Sequence, residues 1–157
     1  MPARGQDRPE GLTVWTDLCE VVDHVRILVN RDLQQSAGLT LAENVVLCQV
    51  AMSPRRRLRM VDLANQLAIA KSAVTKTVDR LEARDLVRRE REPRDRRTVY
   101  AALTAAGEAV FDRARPAYVA SIERHFAERL DQGVLRQLRR VREQVMARGG
   151  SGTAPGG

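Results

Sequence analysis

The apolar positions recur at three- and four-residue steps over most of the chain, a spacing typical of amphipathic helices. Thr40 and Glu43 match a capping box, in which each side chain binds the other residue's backbone amide. Gly38 ends the helix before this box. Pro116 is expected to kink or interrupt a later helix, because proline lacks a backbone donor, and Asp131 is expected to cap the last one. The predicted helices cover residues 13–37, 40–52, 61–67, 71–83 and 104–126, with a final helix after residue 131.

The period of the pattern changes to two after the fourth helix. Two extended runs, residues 86–91 and 98–103, flank a polar turn that contains Pro93, which indicates a β-hairpin. Residues 58–60 are expected to add a short third strand. The predicted fold class is therefore mainly α with a small β wing: a winged helix-turn-helix joined to a helical region built from both ends of the chain.

The two ends of the chain have little apolar content. Residues 1–11 are interpreted as a disordered arm and residues 149–157, which are rich in glycine, as a disordered tail. No apolar run approaches the ~20 residues of a membrane span, and no secretory signal is visible. The expected location is the cytoplasm, in association with the nucleoid, with no membrane partner. An aromatic content of 3% argues against an all-β sandwich and against a base-stacking binder of single strands.

The positive charge of the chain is concentrated in its middle. The whole chain has a net charge of +7, and residues 54–100 alone contain 14 basic and 7 acidic residues. Such a localised field attracts polyanions, chiefly nucleic acid. The alternative is a solvated basic face with no partner. Arginine richness by itself carries less weight, because it also accompanies GC-rich genomes.

The fourth helix and the hairpin suit double-stranded DNA. The helix has an apolar side for packing and an opposite side with Ser72, Thr75 and Lys76, whose size permits entry into the major groove. Arginines at the hairpin tip are in a position to reach phosphates or a narrow minor groove. The alternative is a helical domain with an exposed polar helix and a charged turn that binds nothing.

Two stretches of this segment resemble the MarR family of bacterial transcription regulators. They are LANQLAIAKSAVTKTVDRLEARDLV, residues 63–87, and REPRDRRTVYAALTAAG, residues 91–107. Asp95-Arg96-Arg97 corresponds to the family's Asp-x-Arg wing signature. The resemblance implies a homodimer that binds pseudopalindromic duplex DNA, with Arg97 entering the minor groove and Asp95 orienting it. It also implies that the first helix and the last two helices form the dimer.

The sequence departs from the family pattern near the fourth helix. The family's usual glycine in the preceding turn is Ala68, and its usual serine or threonine cap is Ala70. A missing cap costs ~1 kcal/mol, so this turn is expected to be less rigid. Lys76 replaces a frequent arginine and lacks its bidentate geometry.

These arguments assign a role to each part of the chain. Residues 12–38 and 104–148 are expected to form the dimerisation region and residues 39–103 the DNA-binding lobe. The arginines before the third helix, Arg55, Arg56, Arg57 and Arg59, are expected to clamp phosphates, the alternative being a solvated loop. The predicted DNA-binding residues are Arg55, Arg56, Arg57, Ser72, Thr75, Lys76, Arg80, Arg94, Asp95, Arg96 and Arg97.

Other chemistry is weakly indicated. Cys19 and Cys48 are interpreted as small buried apolar residues, with a redox role as the alternative. Two histidines do not make a metal site, and no phosphate-binding loop, nucleophile motif or paired carboxylates are found, so neither a cofactor, a metal nor an enzyme is expected.

The sequence thus favours a sequence-specific regulator, a repressor that a small lipophilic or phenolic ligand releases from DNA. The ligand class is implied by the resemblance alone. The candidate pocket residues are Trp15, Leu18, His24 and Val45. The rival is an architectural dimer that coats DNA without choosing a sequence.

Overall fold

The computed structural model describes residues 9–149, which form six α-helices and one three-stranded antiparallel sheet. The helices are α1 (Glu10–Ala37), α2 (Leu41–Met52), α3 (Met60–Leu67), α4 (Lys71–Ala83), α5 (Ala105–His125) and α6 (Gln132–Gly149). The strands are β1 (Arg57–Arg59), β2 (Val87–Glu92) and β3 (Asp95–Leu103). The predicted fold class, mainly helical with a small β wing, is confirmed. None of the helices within residues 9–149 combines the length and the apolar character needed to cross a membrane.

The beginning of α1 corrects the predicted arm. Glu10 and Gly11 belong to the helix, because the carbonyl of Pro9 accepts the amides of Leu12 and Thr13 at 2.9 and 3.2 Å. The carboxylate of Glu10 also suits the positive end of the helix dipole. Gly149, the first residue of the predicted tail, also belongs to a helix. The rest of the arm, residues 1–8, and the rest of the tail, residues 150–157, lie outside the described residues.

One core joins the first five helices and the sheet. Val46 and Leu47 of α2, Leu63 of α3, Val78 of α4 and Ala101 of β3 are all buried in it. The predicted capping box of α2 is confirmed: the Thr40 hydroxyl accepts the Glu43 amide at 3.2 Å, and the Glu43 carboxylate accepts the Thr40 amide at 2.8 Å. The start of α2, a helix that seats α4, is thereby fixed.

The α3–α4 turn shows the two departures noted in the sequence. Ala68 adopts the left-handed conformation with φ of 51°, where a Cβ atom is unfavourable. Ala70 occupies the N-cap of α4 and makes no side-chain hydrogen bond. This turn therefore carries backbone strain and leaves helix amides without a side-chain acceptor.

The wing is tighter than predicted. Only Pro93 and Arg94 form the turn, and β3 begins at Asp95 instead of Thr98. Glu92 pairs with Asp95 whereas Arg91 pairs with Val99, so residues 96–98 form a bulge in the central strand of the order β1-β3-β2. Hydrogen bonds from the backbone of Arg97 and the hydroxyl of Thr98 to the Asp95 carboxylate replace regular strand pairing there.

Two predicted helix starts are confirmed, and of the kink or interruption expected at Pro116 the interruption does not occur. Thr104 caps α5 by accepting the Gly107 amide at 2.9 Å, and Asp131 caps α6 by accepting the Val134 amide at 2.9 Å. However, α5 is not interrupted at Pro116. Because Pro116 and Asp112, whose carbonyl loses its helical donor, are both exposed, water can satisfy that carbonyl.

Two long helices leave apolar faces uncovered in the single chain. On α1 the side chains of Trp15 and Ile27 are 63% and 65% exposed, and only Val29 and Leu33 are buried. On α6 the apolar side chains of Val134, Val141 and Val145 are exposed as well.

Candidate nucleic-acid interface

The helix α4 has one buried and one exposed side, with the residues on each side that the sequence predicts. Val74 and Val78 are buried, whereas Ser72, Thr75 and Lys76 are exposed. The Thr75 hydroxyl donates a hydrogen bond of 2.9 Å to the Lys71 carbonyl, which leaves its oxygen as an acceptor toward solvent. The exposed side of α4 thus presents short polar groups, as entry into a major groove requires.

The wing tip is organised by Asp95. Its Oδ1 accepts the Arg97 amide at 3.1 Å and its Oδ2 accepts the Thr98 hydroxyl at 2.8 Å. These two bonds, the one from Thr98 first, lower the pKa of Asp95 below the ordinary carboxyl value. Asp95 therefore positions the backbone that carries Arg97, and Arg94, Arg96 and Arg97 are all exposed.

A groove of about 650 Å³ separates α4 from the wing. Thr75 lines it from the helix, and Arg97 and Thr98 line it from the wing. The structure therefore brings together two predicted residues that are 22 positions apart in the chain. Ser72 and Lys76 lie elsewhere on the exposed side of α4. Apolar side chains, those of Met60, Val61 and Val99, also line the groove.

Three more arginines line this groove: Arg59, which was expected among the phosphate-clamping arginines, and Arg89 and Arg91, which the sequence analysis missed. The last two are separated by one residue in β2 and therefore lie on the same face of the sheet. That alternation is visible in the run Arg88-Arg89-Glu90-Arg91, but the face turned toward α4 depends on the strand register. Arg89 pairs with Ala101 of β3, and this register places the Arg89 side chain on the face toward α4.

Three of the predicted DNA-binding arginines make ion pairs within the chain. Arg56 pairs with Glu108 of α5, and Arg57 pairs with Glu90 and Glu92 at 3.4 and 3.8 Å. The guanidinium carbon of Arg57 also lies 4.3 Å from the ring centre of Tyr100. Arg57 therefore has a structural role on the sheet, while Arg55 makes no ion pair within residues 9–149. The third, Arg80, is tied to another helix.

Arg80 connects α4 to α2 as well as lying near the predicted interface. Its Nε is 3.4 Å from the buried carboxylate of Glu43, and its Nη2 donates to the Thr77 hydroxyl at 3.2 Å. Arg84 lies 3.6 Å from the same carboxylate. Glu43 thus holds the C-terminal half of α4 against the capping box of α2.

This architecture recurs in solved structures. The protein Sco3205 from Streptomyces coelicolor, described as a MarR family transcriptional regulator and solved in complex with DNA, is 31% identical to this chain. The superposition has a TM-score of 0.84 and covers 99% of this chain and 96% of that one. The chain belongs to the MarR family. The family model, described as "MarR family", matches residues 39–99.

Two other relatives extend the comparison of this MarR-family protein. CouR from Rhodococcus jostii RHA1, solved with bound p-coumaroyl-CoA, is 27% identical, with a TM-score of 0.74 and coverage of 88% of this chain and 95% of that one. The Bacillus subtilis HTH-type transcriptional regulator YkoM is 32% identical over 69 residues, which span 44% of this chain and 45% of YkoM. The family consists of DNA-binding transcriptional regulators, not of enzymes.

A second concave site in this MarR-family protein lies behind α4. An open cavity of about 820 Å³ is lined by Arg26 and Ile27 of α1, Val45 of α2, Thr77 of α4 and Tyr118 of α5. Of the four predicted pocket residues, Val45 lines this cavity. Trp15, Leu18 and His24 are exposed on α1 and do not line it. The sequence did not reveal Arg26 or Tyr118, because residues from five segments converge only in the folded chain.

The cysteines and His125 are the remaining candidate groups of this MarR-family protein. Cys19 and Cys48 are both free and half-buried, and burial raises the pKa of the Cys48 thiol. His125, for which the sequence predicts no role, contacts Asp32 across the α1–α5 interface. Within residues 9–149, no cluster of three or more potential metal ligands occurs.

Proposed function

We propose that this protein is a homodimeric, sequence-specific transcriptional regulator that represses its target genes until a small-molecule ligand releases it from duplex DNA. The observation that carries the proposal is the arginine-lined groove between α4 and the wing, with Thr75 on one wall and Arg97 on the other. The protein would accordingly act on the chromosome in the cytoplasm.

In this proposal α4 contacts the major groove of DNA and the wing contacts the adjacent minor groove. Ser72, Thr75 and Lys76 of α4 contact base edges in the major groove, and Arg97 reaches the adjacent minor groove. Arg94 and Arg96 contact phosphates near the wing tip, and Arg55 contacts phosphate before β1. Base contacts supply sequence choice, whereas phosphate contacts supply register and salt dependence. The Sco3205 complex with DNA supports this mode of use for the shared fold.

A second copy of the chain is the partner we propose for the exposed apolar faces of α1 and α6. The charges of the two helices support this pairing, as their exposed apolar side chains do. Residues 10–25 of α1 contain four acidic and no Lys or Arg residues, and residues 132–147 of α6 contain four arginines and one glutamate. Packing α1 of one chain against α6 of the other would cover apolar surface and join opposite charges. The α1, α5 and α6 segments are thus the proposed dimerisation region.

Dimerisation also gives the proposed DNA site its symmetry. Two α4 helices related by a twofold axis bind half-sites about 34 Å apart, one turn of the duplex. The expected operator is therefore pseudopalindromic.

The cavity behind α4 is the proposed effector site. Its volume lies in the range of small-molecule pockets, and its lining combines apolar side chains with the charged side chains of Asp23 and Arg26 and the amide of Asn30. A lipophilic ligand with a phenolic group fits that lining. Because Thr77 of α4 and Tyr118 of α5 both line it, a bound ligand can favour one placement of α4 relative to the dimerisation helices. Binding of DNA then falls by the ligand's differential affinity for the two placements.

A binding-site selection on genomic DNA, followed by affinity measurements over a salt series, tests the proposal. Wild-type protein should prefer the selected operator to random duplex by at least about 10³-fold. Thr75→Ala/Lys76→Ala should lower the affinity for operator more than that for random DNA, whereas Arg55→Ala should lower both about equally. Equal losses in the double variant would favour the architectural alternative.

A further inference from the structure

Arg89 joins the wing to α4. Arg89 lies in the middle of β2, and its guanidinium reaches two carboxylates of α4. Nη2 is 2.7 Å from Oδ1 of Asp79, and Nη1 forms an ion pair with Glu82. The backbone amide of Arg89 also donates to Oε1 of Glu82 at 2.9 Å. The bridge therefore ties both the side chain and the main chain of the strand to α4.

The geometry of this bridge suits a rigid connection. The Arg89 side chain is 27% exposed, so its ion pairs are shielded in part from solvent. Asp79 and Glu82 are three residues apart and share one side of the helix, which allows a planar guanidinium to engage both. Arg88, the preceding residue, points to the other face of the sheet and pairs instead with Glu90 at 2.7 Å.

The bridge lies at the groove described above. Arg89 lines that groove together with Thr75 of α4 and Arg97 of the wing, and it is the lining arginine that is paired with α4 itself. In the proposed function, α4 and the wing tip contact DNA at the same time. Their separation must then match the spacing between a major groove and its neighbouring minor groove.

We infer that Arg89 is a positioning residue: by clamping β2 to Asp79 and Glu82, it sets the distance between α4 and the wing and thereby the preference for operator over random DNA. This inference rests on the proposed function. Nonspecific binding needs only positive charge and tolerates variable spacing. Sequence-specific binding needs both walls of the groove in register, so loss of the bridge acts on the preference more than on total affinity.

Removing the acidic side of the bridge separates this role from direct phosphate contact. Asp79→Asn/Glu82→Gln raises the net charge by two, so electrostatics alone increases affinity for any DNA. A positioning role predicts the opposite for operator: about a tenfold loss, with random-duplex affinity unchanged or higher. Asp112→Asn/Glu123→Gln, which makes the same charge change at two exposed positions of α5 that form no ion pair within residues 9–149, is the matched control and should not lose operator preference. Equal gains on both DNAs in the bridge variant would overturn the inference.

Substitutions of Arg89 itself provide a second test of the inference. Arg89→Met should reduce the operator-to-random ratio about tenfold, and Arg89→Lys, which keeps the charge but can engage the two carboxylates less fully, should restore part of it. Arg88→Met removes the same charge from the other face and should leave the ratio near wild type. If Arg89→Met lowers both affinities equally and reduces the salt slope by about 0.9, Arg89 is a phosphate contact and the inference is wrong.

A measurement without DNA keeps the two proposals distinguishable. Hydrogen exchange of the β2 amides, including that of Arg89, should be faster in Arg89→Met and in Asp79→Asn/Glu82→Gln than in wild type or Arg88→Met. Far-ultraviolet circular dichroism confirms that each variant is folded. Unchanged exchange would overturn the clamp even if the protein binds its operator. A wild-type protein that binds no operator while its variants show the faster exchange would instead refute the proposed function.

Discussion

Nε2 of His125 lies 2.8 Å from Oδ2 of Asp32, and this contact joins α5 to α1 at a position where both side chains are largely buried. The same carboxylate oxygen accepts the Ser121 hydroxyl at 2.7 Å. The two bonds, the one from Ser121 first, lower the pKa of Asp32 below its ordinary value of 3.8. A lowered carboxyl pKa means that the ionised form stabilises the folded chain.

Asp32→Asn is expected to lower the free energy of unfolding by about 2 kcal/mol at neutral pH, because the bonds to a charged acceptor are weakened. The contribution of Asp32 is present above its unfolded-state pKa of 3.8 and is lost as the pH falls through the lower folded-state value. The difference in free energy of unfolding between wild type and variant should therefore become smaller below about pH 4. Urea unfolding at a fixed protein concentration measures this difference. Asp112→Asn, an exposed change on α5, is the control, and a gap independent of pH would contradict the expectation.

Asp95→Ala is expected to weaken operator binding although it removes a negative charge from the wing. The carboxylate holds the Arg97 amide and the Thr98 hydroxyl, so its loss frees the backbone that presents Arg97. Fluorescence anisotropy with labelled operator at matched salt measures the change. Arg97→Ala should also lower the salt slope by about 0.9, because a cation in the minor groove displaces counterions from the phosphates on either side. Tighter operator binding by Asp95→Ala would show that Asp95 acts only as a repulsive charge.

Ala68→Gly is expected to stabilise the protein by about 1 kcal/mol, because glycine adopts the observed φ of 51° without the Cβ penalty. Ala70→Ser should add a similar amount by supplying an N-cap acceptor for α4. Denaturant unfolding measures both. Ala73→Gly, at an exposed position inside α4, should instead destabilise the protein by about 1 kcal/mol. If Ala73→Gly stabilised the protein as well, the stabilisation would not be specific to the α3–α4 turn.

Gly107→Ala is expected to destabilise the protein by about 1–3 kcal/mol or more. A Cβ atom at this position would lie 1.9 Å from the backbone carbonyl oxygen of Leu86, so α5 would have to move away from the base of β2. The thermal unfolding midpoint measures the loss. Gly11→Ala offers the opposite control: nothing lies within 4 Å of its Cβ position, and alanine favours the helix.

Val141→Asp/Val145→Asp is expected to yield a folded monomer with no preference for operator. Both side chains are exposed in the single chain, at 48% and 62%, and lie on the face that a second copy is proposed to cover. Sedimentation velocity measures the oligomeric state, and circular dichroism measures folding. Met52→Asp places the same kind of charge on another exposed apolar side chain and should leave the dimer intact. A dimeric double variant would exclude this face of α6 from the interface.

Elements whose causes are local follow from the sequence. The capping box of Thr40 and Glu43, the cap of Asp131 and the stop at Gly38 depend on residues within a few positions of one another, and each occurs as predicted. The bounds of α4 were also predicted, because its apolar stripe has the helical period. The Asp95-Arg96-Arg97 wing signature indicates the family from the sequence alone, because it is a contiguous motif.

Contacts between residues far apart in the chain depend instead on the tertiary fold. Arg89 faces α4 because β2 pairs with β3 in one register, and a shift of one residue would have turned Arg88 there instead. The pairing of His125 with Asp32 and the presence of Arg26 and Tyr118 at one cavity depend on how helices far apart in the chain pack together. Local periodicity contains no information on those pairings, since they are set by the packing of the whole core.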